Sequence, residues 1–221
     1  MAANNGLKAT TTSGASKASR KRKPKDPCNV CYLNQNLCIC KVIPTLDLRT
    51  KISLIIHAKE LKRTTNTGRL ALEALTNSEM RIRGLGRDAL DLSDLLSLQY
   101  DTLLFFPCAD AVELTPVFIQ QFSKPIQLIV PDGNWRQASK VHTRHPELKD
   151  IPRVMISTPN TSQFHLRAES TSEGMATLQA IAYAMGAIEG LAVQNQLLEL
   201  YNAKLQATLV GRGQLGAILQ S

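Results

Sequence analysis

Short apolar runs rich in β-branched residues alternate with segments of helical spacing along most of this chain, and this alternation limits the folds open to it. The apolar runs cover 52–56, 102–106, 126–130 and 153–156. Helical spacing covers 67–75, 135–141, a long segment from 171 and 191–209, and 116–122 fits one or two turns. Strands separated by helices pair in parallel and need helices on both faces of the sheet. The sequence predicts an α/β domain with a mainly parallel sheet.

The length and charge of the chain separate a tail from a body. At 221 residues it has room for one domain and a small appendage. Its net charge is +8, and the first 25 residues contain seven lysines and arginines and no acid, which leaves about +1 for the rest. We expect residues 1–26 to be a disordered basic tail. Three interpretations of this tail are open: it attracts RNA, it serves only solubility, or it is a transit peptide.

Hydropathy gives no sign of a membrane protein. No stretch reaches the roughly 18 apolar residues that a transmembrane helix needs, and no apolar signal-peptide core follows the first charges. We therefore expect a soluble, cytoplasmic protein with no membrane partner.

Four of the five cysteines, Cys28, Cys31, Cys38 and Cys40, fall within thirteen positions. Four thiolates close a tetrahedral shell around zinc and leave no open position, so 27–45 is predicted to be a structural zinc-binding segment with four cysteine ligands. An iron–sulfur cluster and metal-free reduced cysteines are the alternatives. Cys108 stands alone and is assigned no chemistry.

The run 126–130 leads directly into Pro131-Asp132-Gly133-Asn134, a turn, and then into the helical pattern that begins at Trp135. In parallel sheets, loops at the carboxyl ends of strands form ligand sites, so an acid and an aromatic ring are expected at a cleft. The alternatives are that Asp132 only caps the helix and that the single tryptophan packs in the core.

The Asp132-Gly133-Asn134-Trp135 element resembles the DTW-domain family, whose naming motif has Thr where Asn134 stands. The likeness extends over most of 28–190, including the cysteines, 57–60, 65–70, 104–107, 144–153, 166–167 and 176–182. Gln179 stands where the family usually has Glu, so no catalytic role is expected there.

This resemblance implies a tRNA-uridine aminocarboxypropyltransferase in which 46–221 forms a SPOUT-like catalytic domain with a C-terminal trefoil knot and a helical extension. Such an enzyme moves the 3-amino-3-carboxypropyl group of S-adenosylmethionine to N3 of a uridine in tRNA and releases methylthioadenosine. Asp132 is expected to be the general base or the group that fixes the imide N–H. Alternatively, it holds the amino group or ribose of the ligand.

The resemblance also implies contacts for the remaining site residues. Thr67 and Gly68 are expected to meet the amino acid arm, and Trp135 to stack on the adenine or the target base. The nucleoside side of the pocket is assigned to Phe106, Pro107, Arg167 and Thr177. Basic residues near these loops are expected to contact RNA phosphates: Lys59, Lys62, Arg63, Arg69, Arg136, Lys140 and Arg144.

Two rival functions remain at this stage: a SPOUT-type RNA methyltransferase that uses the same donor, and a non-catalytic zinc-containing RNA-binding module. The identity of the tRNA, the uridine position and the oligomeric state are open in the sequence.

Overall fold

The structure, a computed structural model, describes residues 26–84, 86, 90–157 and 175–214. In these ranges short 3-10 turns accompany six strands and five helices. The strands are β1 (Lys51–His57), β2 (Ser78–Arg83), β3 (Asp101–Phe105), β4 (Val112–Glu113), β5 (Ile126–Asp132) and β6 (Arg153–Met155). The helices are α1 (Gly68–Ala74), α2 (Pro116–Ile119), α3 (Trp135–Arg144), α4 (Thr177–Glu189) and α5 (Leu191–Gly211).

The six strands form one sheet in the order β2-β1-β5-β3-β6-β4, and every neighbouring pair is parallel. In the register of β1 and β5, Leu54 lies opposite Val130 and Ile56 opposite Asp132. All seven residues of β5 are buried, as expected for a strand covered on both faces. The predicted parallel α/β sheet is confirmed.

Successive side chains of β1 enter two different hydrophobic clusters. Leu54 and Ile56 pack with α1, α4 and α5 on one face of the sheet. Ile55 packs on the other face, with Ala138 and Val141 of α3. Helices therefore cover both faces, which confirms the second part of the fold prediction.

Two strands were missed in the sequence, and both lie at sheet edges. In β2 the polar and charged Ser78, Glu79, Arg81 and Arg83 alternate with two apolar residues, and every side chain is only half-buried. Strand β4 has two residues. An apolar run identifies a central strand, whereas an edge strand needs little apolar surface, so neither segment stands out.

The start of α4 differs from its prediction. Spacing suggested a helix from 171, with Ser170 and Glu173 as a capping box, a pair that lies outside the described residues. The helix instead begins at Thr177, after Ala176 in an extended conformation. The first residues of α4 lie against the last residue of β5 and the start of α1. The other short prediction, 116–122, reduces to α2 at Pro116–Ile119.

The N-terminal segment packs directly on the body of the protein. Cys28, Cys31 and Leu33 are buried in the same cluster as α4 and α5. The domain boundaries at 26 and 45 and the C-terminal knot stay predictions. Among the described residues, no helix is both long enough and apolar enough to cross a membrane.

Candidate active site

Asp132 is the last residue of β5 and is buried, with 5% of its surface exposed. Its Oδ2 accepts a hydrogen bond from Asn66 Nδ2 at 2.5 Å, and its Oδ1 accepts one from Thr177 Oγ1 at 2.5 Å. Asn66 precedes α1 and Thr177 begins α4, so two helix starts meet this carboxylate at the carboxyl edge of the sheet. Each carboxylate oxygen thus accepts a hydrogen bond from an uncharged donor, which fixes the orientation of the group.

The cap of α3 is Asn134 rather than Asp132. Asn134 Oδ1 accepts from the Gln137 backbone N–H at 2.9 Å, and Gln137 Oε1 accepts from the Asn134 backbone N–H at 2.9 Å. This reciprocal pair is a capping box. The alternative in which Asp132 only caps the helix is wrong.

The start of α1 lies very close to Asp132. A Cβ on Gly68 would lie 3.0 Å from Asp132 Oδ2 and 3.2 Å from Leu54 Cδ1, so a larger residue would force these neighbours to shift. Thr67 is buried, and its Oγ1 accepts from the Leu178 backbone N–H at 3.1 Å. The structure therefore brings together four of the predicted site residues: Thr67, Gly68, Asp132 and Thr177.

The single tryptophan is on the surface. Trp135 is 65% exposed, and its ring lies 5.1 Å from that of buried Phe106, at an angle of 36°. His142 stacks on the same Phe106 ring at 5.2 Å. Core packing of Trp135 is therefore wrong: its ring has a face available for a ligand. Pro107 follows Phe106 and is exposed, whereas Arg167 lies outside the described residues.

Positive charge concentrates beside α3. The charge of Arg144 is the main cause that lowers the pKa of Lys140, and burial and the charges of Arg136 and Arg83 lower it further. Burial and then Arg144 lower the pKa of Arg83, whose guanidinium donates to the Gln137 carbonyl at 2.8 Å. Within the described ranges, none of these four side chains forms an ion pair with a carboxylate. We call Arg83, Arg136, Lys140 and Arg144 the basic face.

His57 and Lys59 border the basic face from the end of β1. Burial lowers the pKa of His57, and the charges of Arg83, Lys59 and Lys140 lower it further against an opposing effect of Glu60. Burial and the same surplus of positive charge thus both disfavour the protonated form of His57. Arg83 was missed in the sequence because the strand that carries it was missed.

The other predicted RNA contacts have roles within the protein or are simply exposed. The Arg69 guanidinium lies 4.6 Å from the centre of the Tyr32 ring and donates to the Leu61 carbonyl at 3.3 Å. Arg63 pairs with the buried Glu60 at 3.3 Å. Lys59 and Lys62 are exposed. Arg69 therefore joins the cysteine segment to α1.

The four cysteine sulfurs of 28–40 converge, all within 4.8 Å of one another. The Sγ atom of Cys28 lies 3.5 Å from Cys40 Sγ and 3.6 Å from Cys38 Sγ. The Sγ atoms of Cys31 and Cys38 are 3.8 Å apart. Zinc–sulfur bonds of about 2.3 Å give a tetrahedron with edges of about 3.8 Å, so one tetrahedral ion fits. An iron–sulfur cluster, with several metal and sulfide atoms between its ligands, needs wider spacing.

Ionisation of the cysteines is uneven. Backbone N–H groups of Cys31 and Val30 are the main cause that lowers the pKa of Cys28 to about 6, so this thiolate forms first. Burial raises the pKa of Cys31 and of Cys40. A bound cation would offset that effect of burial, since thiolates are the metal-binding form.

The sequence model of the DTW domain matches residues 25–209. The chain belongs to the DTW-domain family. Within this DTW protein the matched range includes the cysteine cluster, Asn66, Asp132, Trp135 and most of α5. Asn134 at the naming position does not remove it from the family.

Curated relatives carry the name tRNA-uridine aminocarboxypropyltransferase 2. The protein from Macaca fascicularis is 26% identical over 203 residues, covering 89% of this chain and 66% of that protein. The one from Mus musculus is 25% identical over 174 residues, covering 76% and 57%. The one from Drosophila melanogaster is 24% identical over 172 residues, covering 75% and 67%. The chain thus spans about three-fifths to two-thirds of the length of these relatives.

Among solved structures, the SAM-dependent rRNA:acp-transferase Tsr3 from Vulcanisaeta distributa is similar, with 17% identity and a TM-score of 0.45. The likeness covers 75% of this chain and 81% of that one.

Asn66 is the site residue that sequence reasoning missed. It lies in 65–70, a segment already singled out, in the loop between β1 and α1. The signal was available: a polar amide two residues before a glycine, in a loop at the same edge of the sheet as Asp132. Identifying its partner required knowing that β1 and β5 are neighbours.

Proposed function

We propose that this DTW protein transfers the 3-amino-3-carboxypropyl group of S-adenosylmethionine to N3 of a uridine in tRNA and releases methylthioadenosine. The observation that carries the proposal is the buried Asp132 carboxylate, held by Asn66 and Thr177 where two helix starts meet the sheet. Curated relatives named for this reaction support it.

The reaction needs positioning and one proton transfer. The uracil N3 attacks the γ-carbon of the amino acid arm, the bond from this carbon to sulfur breaks, and the sulfonium leaves as a neutral thioether. Methyl transfer differs only in which carbon is presented, so the site must select by orientation. The N3 proton must also be lost, because the protonated imide is a poor nucleophile.

Asp132 is the residue for this proton. A rigidly held carboxylate at the site accepts the N3 proton, or accepts a hydrogen bond from the imide N–H and thereby fixes the base. Its negative charge also favours a cationic sulfonium nearby. Buried Thr67 and Gly68 would form the wall beside the amino acid arm, and the nucleoside would lie against Phe106, Pro107, Thr177 and Arg167.

Trp135 provides a stacking surface at the same edge. Its exposed ring packs against the ring of Phe106, and Trp135 follows Asp132 by three residues. Stacking of a nucleic-acid base on an aromatic side chain contributes about 1 to 3 kcal/mol. Either the adenine of the donor or the target uracil would gain from it.

The basic face would guide tRNA to this edge. Arg136, Lys140 and Arg144 follow one side of α3 at four-residue steps, and Arg83 adds a charge from β2. Phosphate contacts of this kind position a nucleic acid without reading its sequence. Lys59, Lys62, Arg63, Arg69 and the basic tail would extend the contact.

We also infer one structural Zn²⁺ on Cys28, Cys31, Cys38 and Cys40. Their spacing fits a single tetrahedral ion, and four sulfur ligands leave no position for substrate. The ion would supply folding energy to the N-terminal segment rather than chemistry. A cytoplasmic enzyme of this kind, with a tail at 1–26, a zinc segment at 27–45 and a catalytic domain at 46–221, is the arrangement we propose.

The test is a product analysis with a matched pair of variants. Full-length protein is incubated with S-adenosylmethionine and unmodified tRNA transcripts, and nucleosides and small molecules are identified by mass spectrometry. Asp132→Asn keeps the shape of the site and removes the charge. Asp101→Asn changes a carboxylate at the opposite end of the sheet, where Asp101 accepts from the Lys124 backbone N–H at 2.9 Å.

We expect an aminocarboxypropylated uridine and methylthioadenosine, a rate lowered about 10²- to 10⁴-fold by Asp132→Asn, and little change with Asp101→Asn. A methylated nucleoside with S-adenosylhomocysteine would replace this chemistry with methyl transfer. Absence of donor binding in calorimetry would leave a non-catalytic RNA-binding module.

A further inference from the structure

We propose that Lys204 of α5 is the fixed counter-charge of a four-thiolate metal centre on Cys28, Cys31, Cys38 and Cys40, and that this centre thereby fastens the last helix to the N-terminal segment. The inference rests on the metal site proposed above and not on the transfer reaction.

Lys204 is the largest fully buried side chain of the described residues, with 1% of its surface exposed. Its Nζ donates to the backbone carbonyl of Cys31, 173 residues away in sequence. No carboxylate forms an ion pair with it in the described part of the chain. A buried ammonium is costly unless an opposite charge lies close to it, and a carbonyl supplies no net charge.

Among the described residues, the cysteine cluster is the source of that charge at this position. Four thiolates around a divalent ion carry a net charge of −2, whereas four protonated thiols carry none. The ammonium lies beside the backbone of one of the four ligands, so half of the centre's charge is neutralised inside the protein. The burial of Lys204 therefore fits the −2 charge of a metal–thiolate centre better than the smaller charge of a metal-free cluster.

The same contact joins the two ends of the described chain. Leu200, Tyr201 and Leu205 surround Lys204 on α5 and belong to the hydrophobic cluster that includes Cys28 and Cys31. Loss of the metal would leave the ammonium buried with less opposite charge beside it, in an interface built largely from apolar side chains. We therefore expect metal release to weaken the contact between α5 and segment 27–45.

The test compares metal affinity and stability in the full-length protein. Lys204→Met keeps the length of the side chain and removes its charge. The matched control is Thr208→Val, a buried position one turn along α5 whose hydroxyl donates to the Lys204 carbonyl at 2.7 Å. Zinc content is counted by elemental analysis, and zinc affinity is measured by competition with a chromophoric chelator.

We expect one zinc per chain in the unaltered protein and a zinc affinity about 10- to 100-fold weaker in Lys204→Met, with a smaller change in Thr208→Val. The unfolding temperature provides a second signature. Lys204→Met should lower it in the zinc-loaded protein but leave it unchanged or raise it after chelation, because the substitution removes an unpaired buried charge.

Equal losses of unfolding temperature with and without zinc would show that Lys204 acts only through packing and the Cys31 carbonyl, and would overturn the proposal. A chain that binds no zinc or cobalt would also overturn it. If Lys204→Met does not fold, Lys204→Arg and Lys204→Gln are compared by cobalt titration, following the thiolate-to-cobalt absorption. Arg should bind metal more tightly than Gln; equal affinities would again contradict a role for the charge.

These readouts do not involve tRNA. A protein that binds zinc as expected but modifies no tRNA would refute the proposed function alone, and an active protein without metal would refute only this inference.

Discussion

Three residues far apart in sequence meet at the candidate active site. Asn66 lies in a loop, Asp132 ends β5 and Thr177 begins α4. Asn66 and Thr177 each donate a hydrogen bond of 2.5 Å to the Asp132 carboxylate. Such contacts keep the carboxylate in one orientation before substrate arrives, which is the condition for efficient positioning. The candidate site therefore depends on the close approach of Asn66 and Thr177 to Asp132 as much as on the Asp132 carboxylate itself.

Gly68→Ala tests that close approach. The added Cβ would lie 3.0 Å from Asp132 Oδ2 and 3.1 Å from its Cγ, so the carboxylate or α1 must move. We expect the free energy of unfolding to fall by about 1 to 3 kcal/mol, as for other overpacked sites, and aminocarboxypropyl transfer to fall at least about tenfold. Denaturant unfolding and product formation measure the two effects.

The control is Gly211→Ala, at the last residue of α5, where the added Cβ meets only the tip of Leu37 at 3.1 Å. Alanine favours helix, so this variant should be as stable as the unaltered protein or slightly more so, with normal activity. Normal activity in Gly68→Ala would contradict a fixed carboxylate at this edge.

The sequence pointed to Asp132 and Thr177 as site residues but not to Asn66, the second hydrogen-bond partner of Asp132. A buried strand that runs into an acidic turn is visible in a single segment of the sequence. The contact of Asn66 with Asp132 depends on β1 lying next to β5, although β2, β3 and β4 come between them in sequence. Spacing along the chain carries no information on that order.

At the scale of the element, apolar content decided which parts of the fold were predictable. The buried strands β1, β3, β5 and β6 were identified, and so were α1, α3 and α5. Edge strand β2 was missed because its half-buried side chains alternate without an apolar run. Its Arg83 is the member of the basic face that was consequently missed.

Helix α3 contributes one end to the candidate active site and one side to the basic face. Its first turn begins beside Asp132, and Arg136, Lys140 and Arg144 follow at four-residue steps. Three neighbouring positive charges repel one another, which is the reason the pKa of Lys140 is lowered. An anionic partner bound to this side of α3 would offset the repulsion between these charges.

Lys140→Glu tests the role of α3. We expect the KM for tRNA to rise about tenfold or more with little change in kcat, and the salt dependence of binding to weaken by about one unit of slope in log K against log salt. The unfolding temperature should stay the same or rise, because repulsion within the basic face is relieved. Titration at several salt concentrations and thermal unfolding provide these values.

Lys124→Glu is the matched control: an exposed lysine before β5, at the opposite edge of the sheet. It makes the same change of total charge, so it corrects for long-range attraction of tRNA. If both variants weaken tRNA binding equally, net charge rather than the basic face is responsible.

At the scale of the whole molecule, the sheet separates two kinds of site. The carboxyl edge of the strands carries Asp132 and the basic face, whereas the cysteine cluster packs on the α4 and α5 side through Cys28, Cys31 and Leu33. Arg69 links the two regions, since it belongs to α1 and lies over Tyr32 of the cysteine segment. The proposed metal thus supports the fold near the site without entering its chemistry.

Removal of zinc should therefore loosen the chain ends selectively. Amide hydrogen exchange, measured by mass spectrometry with and without a chelator, should accelerate in 28–42 and in the second half of α5, where Lys204 contacts Cys31. Amides of β5 should stay protected, because that strand is paired on both sides and buried on both faces. Restored protection after zinc is added back would exclude damage to the protein. Faster exchange in 28–42 with an unchanged α5 would mean that the metal orders only its own segment, and that the last helix holds to the body through apolar packing alone.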